Sequence, residues 1–251
     1  MGKQHEAIGI KQTIRLEWLH KTANLILAGM DAQAIRRELH AYLAERKGSG
    51  SECERGETSR TQVVNMLMKI WVSPDAGLSA FRNRALAFLE EQPSMALAVH
   101  WGMISAVYPF WFNVARQTGR LLALQDQVTQ TQIINRMKEQ YGDRQTVSRY
   151  ARYAIRSFVA WGALKDSEAK GCYEKAAPVS IAEPNLAILM IESALLATPE
   201  AKSAMELFVN NPAFFPFQLP VMTGDFVSQR SDRIDVVRYG LDNELLKLKG
   251  N

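Results

Sequence analysis

From Met95 to Ala115 the chain reads MALAVHWGMISAVYPFWFNVA, without a single Lys, Arg, Asp or Glu. A helix built from this run is apolar on every side, so it must be enclosed, by lipid or by the rest of the chain. Its length reaches the roughly 20 residues that cross a bilayer. Against a membrane stand His100, Ser105, Pro109 and Asn113, and the alanine and glycine content that weakens the hydropathy. The run is read as a central helix buried on all sides. Pro109 is expected to kink it, because proline removes a backbone donor and crowds the preceding turn. With 251 residues, 47% of them hydrophobic, the chain has the material for such a core.

The preceding segments supply the packing. Leu16, Leu19, Ala23, Ile26 and Leu27 recur at helical steps and predict a helix from Gln12 to Ala28, stopped by Gly29. Asp31 is placed to cap a second helix with Ile35, Leu39, Tyr42 and Leu43 on one face. Lys47–Ser59, KGSGSECERGETS, predicts a surface loop. A phosphate cradle would need an apolar strand before it and GK[ST] after it, and has neither. Thr58 or Ser59 is expected to cap a helix running to Trp71, which Val72-Ser73-Pro74 ends. Leu78–Leu89 reads as a further helix, and Gln92-Pro93-Ser94 as a turn. Residues 1–118 thus read as an all-helical domain.

After Gly119, taken as a helix stop, the pattern changes. Leu121–Leu124 predicts a short strand. Asp126 or Thr129 caps the next helix, Thr129 forming a capping box with Gln132. Ile133, Ile134, Met137 and Tyr141 give that helix its apolar face. Gly142 can adopt the left-handed conformation that closes a helix, and Asp143 can cap the following one. From Arg144 to Trp161, Val147, Ala151, Ala154, Ile155 and Phe158 make one stripe, while Gln145, Ser148, Arg149, Arg152 and Arg156 make the other, with no acid among them. Gly162 ends the helix. Ala163–Lys165 and Cys172–Val179 then predict two strands around Asp166–Gly171. Strand, helix, turn, helix and two-stranded wing is the order of a winged helix-turn-helix, residues 119–182.

A B-DNA major groove admits one α-helix, and Arg and Gln can pair with base edges. Arg144, Gln145, Thr146, Ser148 and Arg149, at the start of the helix, are the expected base readers. Arg152 and Arg156 reach phosphate. Arg136 and Lys138 on the preceding helix, and Lys170 and Lys175 on the wing, are expected to hold the backbone of double-stranded DNA. Between Arg136 and Lys175 nine Lys/Arg stand against five Asp/Glu, an excess equal to the net +4 of the whole chain. The alternatives are a solvated face, or a scaffold whose winged helix and aromatic C-terminus contact partner proteins.

Residues 183–251 read as a small α+β module. Asn185–Ala197 predicts a helix. Thr198-Pro199-Glu200 breaks it and starts a short helix through Ala204, Leu207 and Phe208. Asn211–Pro220, with Phe214, Phe215 and Phe217 between prolines, is expected to plug a core or a partner surface. Ile234–Tyr239 and Glu244–Leu248 predict a hairpin turning at Gly240–Asn243. The fold class is therefore mainly α, with a helical N-terminal bundle, a central winged helix-turn-helix and an α+β C-terminal module.

Catalytic patterns are weak. Cys53 and Cys172 form no CxxC pair, which excludes a thiolate zinc site on ligand count. His5, His20, His40 and His100 are scattered; His20 and His40 are expected at exposed positions and His100 as a satisfied core residue. Tyr108, Phe110, Trp111 and Phe112 are read as core. HExxH, GxSxG and paired carboxylates are absent, and Asp225, Asp232 and Asp235 read as surface acids. No enzymatic role, cofactor or metal is expected. The N-terminal MGKQHEAIGIKQ has no apolar signal region, so a reduced, cytoplasmic, non-membrane protein is expected.

Three stretches, TANLILAGMDAQAIRRELHAYLAER with SRTQVVNMLMKIWV, GDRQTVSRYARYAIRSFVAWGALKD, and PAFFPFQLP, resemble the BrxA family of BREX phage-defence systems in helix order and character. The resemblance implies a small, largely helical DNA-binding protein without an enzymatic role of its own, working with other proteins of a defence complex. It carries DNA contact onto the helix that begins at Arg144.

Overall fold

The computed structural model describes residues 8–46, 56–200, 202–239 and 243–249. Among the described residues, four α-helices precede the apolar run: α1 (Leu16–Leu27), α2 (Ala32–Ala44), α3 (Glu57–Leu67) and α4 (Ser79–Glu91). Asp31 caps α2 by accepting from the Ala34 amide at 2.8 Å. Most of the Lys47–Ser59 loop lies outside the described residues. α3 begins earlier than expected, with Gly56 at its N-cap. Thr58 and Ser59 therefore sit inside its first turn, where Glu57 complements the positive end of the helix. α3 runs on as a π-helical turn, Met68–Val72, up to Ser73.

Pro109 makes a corner rather than a kink. Tyr108 leaves helical geometry (φ −126°, ψ 84°), as a residue before proline is pushed to do. Pro109 then opens a new helix at a position that needs no N–H. The result is α5 (Ala96–Val107) and α6 (Pro109–Leu122), with 118° between the two helical segments. α5 is buried continuously from Ala98 to Val107. No single helix among the described residues is long and apolar enough to cross a membrane; the run reaches that length only as this bent pair.

α6 does not stop at Gly119 and runs across the expected 118/119 boundary. A Cβ at Gly119 would lie 1.9 Å from the Pro212 carbonyl oxygen. The glycine lets another segment touch the helix backbone, and its own φ is not positive, so the helix runs through it. Leu121 and Leu122 are consequently helical, and the first strand, β1, forms later at Gln127–Thr129. Then come α7 (Gln130–Tyr141), α8 (Gln145–Ala160), β2 (Leu164–Asp166) and β3 (Cys172–Lys175). The strands make an antiparallel sheet in the order β1-β3-β2, with Val128 opposite Tyr173 and Lys165 opposite Glu174. The expected strand Cys172–Val179 is split. Its pairing stops at Lys175, before Pro178, which has no amide to offer a ladder. Val179–Ser180 (β4) pairs in parallel with Phe217–Gln218 instead.

α9 (Pro184–Ala197) lies against α5, where Gly102 faces Met190 and Ser193. Within it Glu192 is fully buried and bound by two arginines, Arg84 and Arg233 (Arg233 Nε to Oε1, 2.8 Å). The short helix expected through Ala204 is displaced: Lys202–Ala204 is a strand, β5, and α10 follows at Glu206–Val209. Pairing with a distant strand overrides the local helical pattern here. After β6 (Phe217–Gln218) and α11 (Gly224–Arg230), β7 (Ile234–Tyr239) and β8 (Asn243–Leu248) form the expected hairpin; residues 240–242 of its turn lie outside the described residues. β5 extends it into a sheet of order β5-β8-β7.

The aromatic segment after Asn211 enters the core. Phe214, Phe215 and Phe217 are buried, and the Trp101 indole donates to the Ala213 carbonyl at 3.1 Å. Trp101 sits in a cage of Trp111, Phe158, Trp161, Phe215 and Phe217. One continuous buried cluster therefore joins the N-terminal helices, α8 and the C-terminal segments. Among the described residues the molecule is mainly α-helical with three small sheets.

Candidate nucleic-acid interface

α7 and α8 are set against each other by their ends. Thr129 accepts from the Gln132 amide (3.1 Å) while the Gln132 side chain accepts from the Thr129 amide (2.8 Å), so the expected capping box closes the start of α7. The Tyr141 hydroxyl at its other end accepts from Asn113 of α6 at 2.6 Å. Gly142 takes φ +85°, a turn that side chains disfavour. Asp143 does not cap α8. It pairs with Lys138 at 2.8 Å, and the N-cap is Arg144, without a side-chain bond. At the far end Gly162 donates to Val159 and Ala163 to Phe158, the paired bonds of a Schellman closure.

The two stripes of α8 separate as their spacing requires. Val147, Ala151, Ala154, Ile155 and Phe158 are fully buried. Gln145, Thr146, Arg149, Arg152 and Arg156 are exposed. Ser148 departs from the expected stripe: it is only 9% exposed, because it stands at the border of the face, where the core closes over the helix. Arg149 lies 5.3 Å from the Tyr150 ring centre, and neither Arg149 nor Arg152 has an ion pair among the described residues. Arg144 folds back onto the Tyr141 carbonyl at 2.8 Å and so extends the cap of α7.

Three of the expected cations are engaged by acids. Arg156 binds Asp166 of β2 at 2.6 Å, Lys138 binds Asp143, and Arg136 lies 3.5 Å from Glu139. The helix surface taken alone carries no acid, but folding brings Asp166 onto it from the sheet. Burial alone would lower the Arg156 pKa; hydrogen bonds to Asp166 and Tyr173 outweigh it and hold the group above its ordinary value. Lys170 is exposed in the β2–β3 turn. Lys175 is exposed at the other end of β3, opposite Leu164, and lines a separate cleft with Phe215 and Phe217. The structure therefore groups Gln145, Thr146, Arg149, Arg152 and Arg156 on one face beside the Lys170 turn, and leaves Lys175 apart.

Two features of this surface have no local sequence signal. The Gln130 amide donates to Gly171 at 2.8 Å, which docks the start of α7 beside the hairpin turn. Between them is an open cleft of about 790 Å³, lined by Thr131, Arg156, Asp166 and Lys170 among others. The second feature is a clamp on the N-terminal segment. The Ile14 amide donates to Ser157 Oγ and the Trp161 indole donates to the Ile14 carbonyl, both at 2.9 Å.

The other candidates are dispersed. Asp225 binds Arg238, Asp232 lies 3.9 Å from Arg84, and Asp235 lies 3.8 Å from Lys247. No three His, Cys, Asp or Glu side chains group as metal ligands among the described residues. Tyr108, Phe110, Trp111 and Phe112 are buried. His100 is buried as expected but is not satisfied: neither ring nitrogen has a hydrogen-bond partner among the described residues. Its ring packs at right angles to Trp71 and His20, 5.3 and 5.8 Å between centres. Burial, helped by His20, pushes its pKa down to about 3, so it is neutral. His20 is half-buried rather than exposed, through the same contact. His40 is also half-buried, with its pKa lowered by burial and by Arg60 and Arg36. Comparison of the chain with protein-family models, with curated proteins and with solved structures yields no match.

Proposed function

We propose that β1, α7, α8, β2 and β3 form a winged helix-turn-helix that binds duplex DNA, with α8 as the helix presented to the groove. The observation that carries this reading is the outer face of α8: Gln145, Thr146, Arg149 and Arg152 stand exposed in consecutive turns, and the two arginines have no acid to answer them among the described residues. Arginine left unpaired on a helix beside a projecting hairpin suits phosphate and guanine edges. Ser148 and Lys175 contribute least, one by burial and the other by position. The protein acts here by holding DNA, without an enzymatic step or a cofactor. The likeness of its segments to the BrxA family supports a place in a cytoplasmic BREX-like defence or regulatory complex, with other proteins of that complex as partners.

The test is fluorescence anisotropy of the purified chain on a labelled duplex across a salt series. Binding should weaken steeply as salt rises. Arg149→Ala with Arg152→Ala should lower affinity and flatten the dependence of log K on log salt by about 1, for the phosphate that Arg152 no longer neutralises. Unchanged binding in that double variant would remove α8 from the interface.

A second reading rests on the three ion pairs around the face. Arg136–Glu139, Lys138–Asp143 and Arg156–Asp166 neutralise part of the surface, as suits a module that docks another protein. It expects no shift of duplex DNA at moderate salt and co-purification in a larger complex.

A further inference from the structure

We infer that the segment Ile10–Arg15 is a second arm of the duplex-binding surface, with Lys11 and Arg15 gripping backbone phosphates beside those under α8. The inference rests on the duplex-binding reading above and extends it to a part of the chain more than a hundred residues away in sequence.

The segment is pinned. α8 and the turn that follows it claim both backbone groups of Ile14, the amide through Ser157 and the carbonyl through Trp161. Ile10 and Ile14 are fully buried, four residues apart in a stretch without helix, while Lys11 and Arg15 beside them are exposed. Arg15 is extended (φ −97°, ψ 146°), so its side chain leaves the segment on the side away from the buried Ile14. Neither cation has an ion pair among the described residues.

The place of the clamp decides what the arm can reach. At 100° per residue Ser157 stands about 100° round the helix from Arg156, at the border of the exposed face, while Trp161, about 140° round and just past the helix end, lies on the buried side. Along the axis they lie roughly 18–24 Å from Gln145. At that level the face itself offers little charge: Arg156 is tied to Asp166, and the next exposed residue is Ala160. Arg15 and Lys11 bring unpaired charge to that end. A duplex whose groove receives the first turns of α8 meets the arm where its flanking backbone runs toward the C-terminal end of the helix. Phosphate contacts position a protein on DNA without reading sequence, so the arm would add affinity and salt dependence and no base preference.

The experiment compares three full-length proteins, wild type, Lys11→Ala/Arg15→Ala and Arg149→Ala/Arg152→Ala, on one 20-base-pair duplex across a salt series. The arm variant should bind about tenfold more weakly, and its slope of log K against log salt should shrink by about 2. Its circular dichroism and melting temperature should match wild type, since both side chains are exposed. Wild-type affinity and slope in the arm variant, alongside weaker binding by the α8 variant, would overturn the arm and leave the duplex reading standing. No binding by wild type, or undiminished binding by both variants, would bring down the duplex reading and the arm with it.

Discussion

Two groups of arginines in this molecule are handled in opposite ways. Arg84 and Arg233 close on Glu192, a carboxylate with no solvent exposure inside the otherwise apolar α9. Arg149 and Arg152 project from α8 into solvent with no acid opposite among the described residues. The first group is a solved electrostatic problem. A charge taken out of water demands partners, and two guanidiniums answer one carboxylate. The second group creates no such demand, because water solvates it. Exposed arginines without partners add almost nothing to stability, so under the proposed duplex reading their role lies outside the fold. Substitution should therefore damage stability at one group and function at the other.

The largest effect is expected at the closed group. Glu192→Ala removes the carboxylate shared by Arg84 and Arg233, both partly exposed, and should cost about 3 kcal/mol of unfolding free energy in urea; a cost under about 1 kcal/mol would mean that Arg84 and Arg233 simply swing to water. His100 is the second buried titratable group. The unfolded chain protonates it below its ordinary value of 6.5, while the folded chain resists until about 3. Above pH 6.5 the ring is neutral in both states and carries no ionisation penalty, and stability falls as pH drops from there toward 3. Between about pH 7 and pH 4 this should remove on the order of 3 kcal/mol. His100→Phe should flatten that part of the pH profile relative to wild type, whereas parallel profiles would show that the ring is not held neutral. Gly119→Ala should cost about 1–3 kcal/mol, because the new methyl meets the Pro212 carbonyl and one segment must give way. The smallest effect is at the open group. Arg149→Ala with Arg152→Ala should change stability by less than about 0.5 kcal/mol. A larger change would mean that the face is packed, and the contrast between the two groups would fail.

What could be read along the chain was what neighbours decide. The stripes of α8, the Thr129–Gln132 capping box, the Asp31 cap and the β7–β8 hairpin depend on residues within a few positions of each other. Some misreadings are local, as where Lys138 takes Asp143 from the start of α8; others share a cause, a partner remote in sequence. Gly119 looks like a helix stop until Pro212 is found lying on it. Lys202–Ala204 fits a helix until β8 pairs with it. Val179 reads on from β3 until Pro178 and Phe217 take it elsewhere. The candidate surface follows the same rule. Its exposed cations were legible from helical spacing, whereas Asp166 on Arg156 and the Ile14 clamp came only with the fold. Glu192 was passed over along the chain, since Arg84 and Arg233, which answer it, lie far from it in sequence.

The Ile14 clamp also bears on the time at which the protein can be completed. Its two hydrogen bonds join residues 143 and 147 positions apart. At synthesis rates of about 5–20 residues per second, Ile14 waits roughly 7–30 s for Ser157 to be made. During that interval the buried side of the N-terminal segment has no α8 to cover it. Contacts of such long range also slow refolding of the finished chain. The nascent protein is thus vulnerable to aggregation until α8 emerges, and a chaperone that holds the N-terminal helices would have its effect in that window.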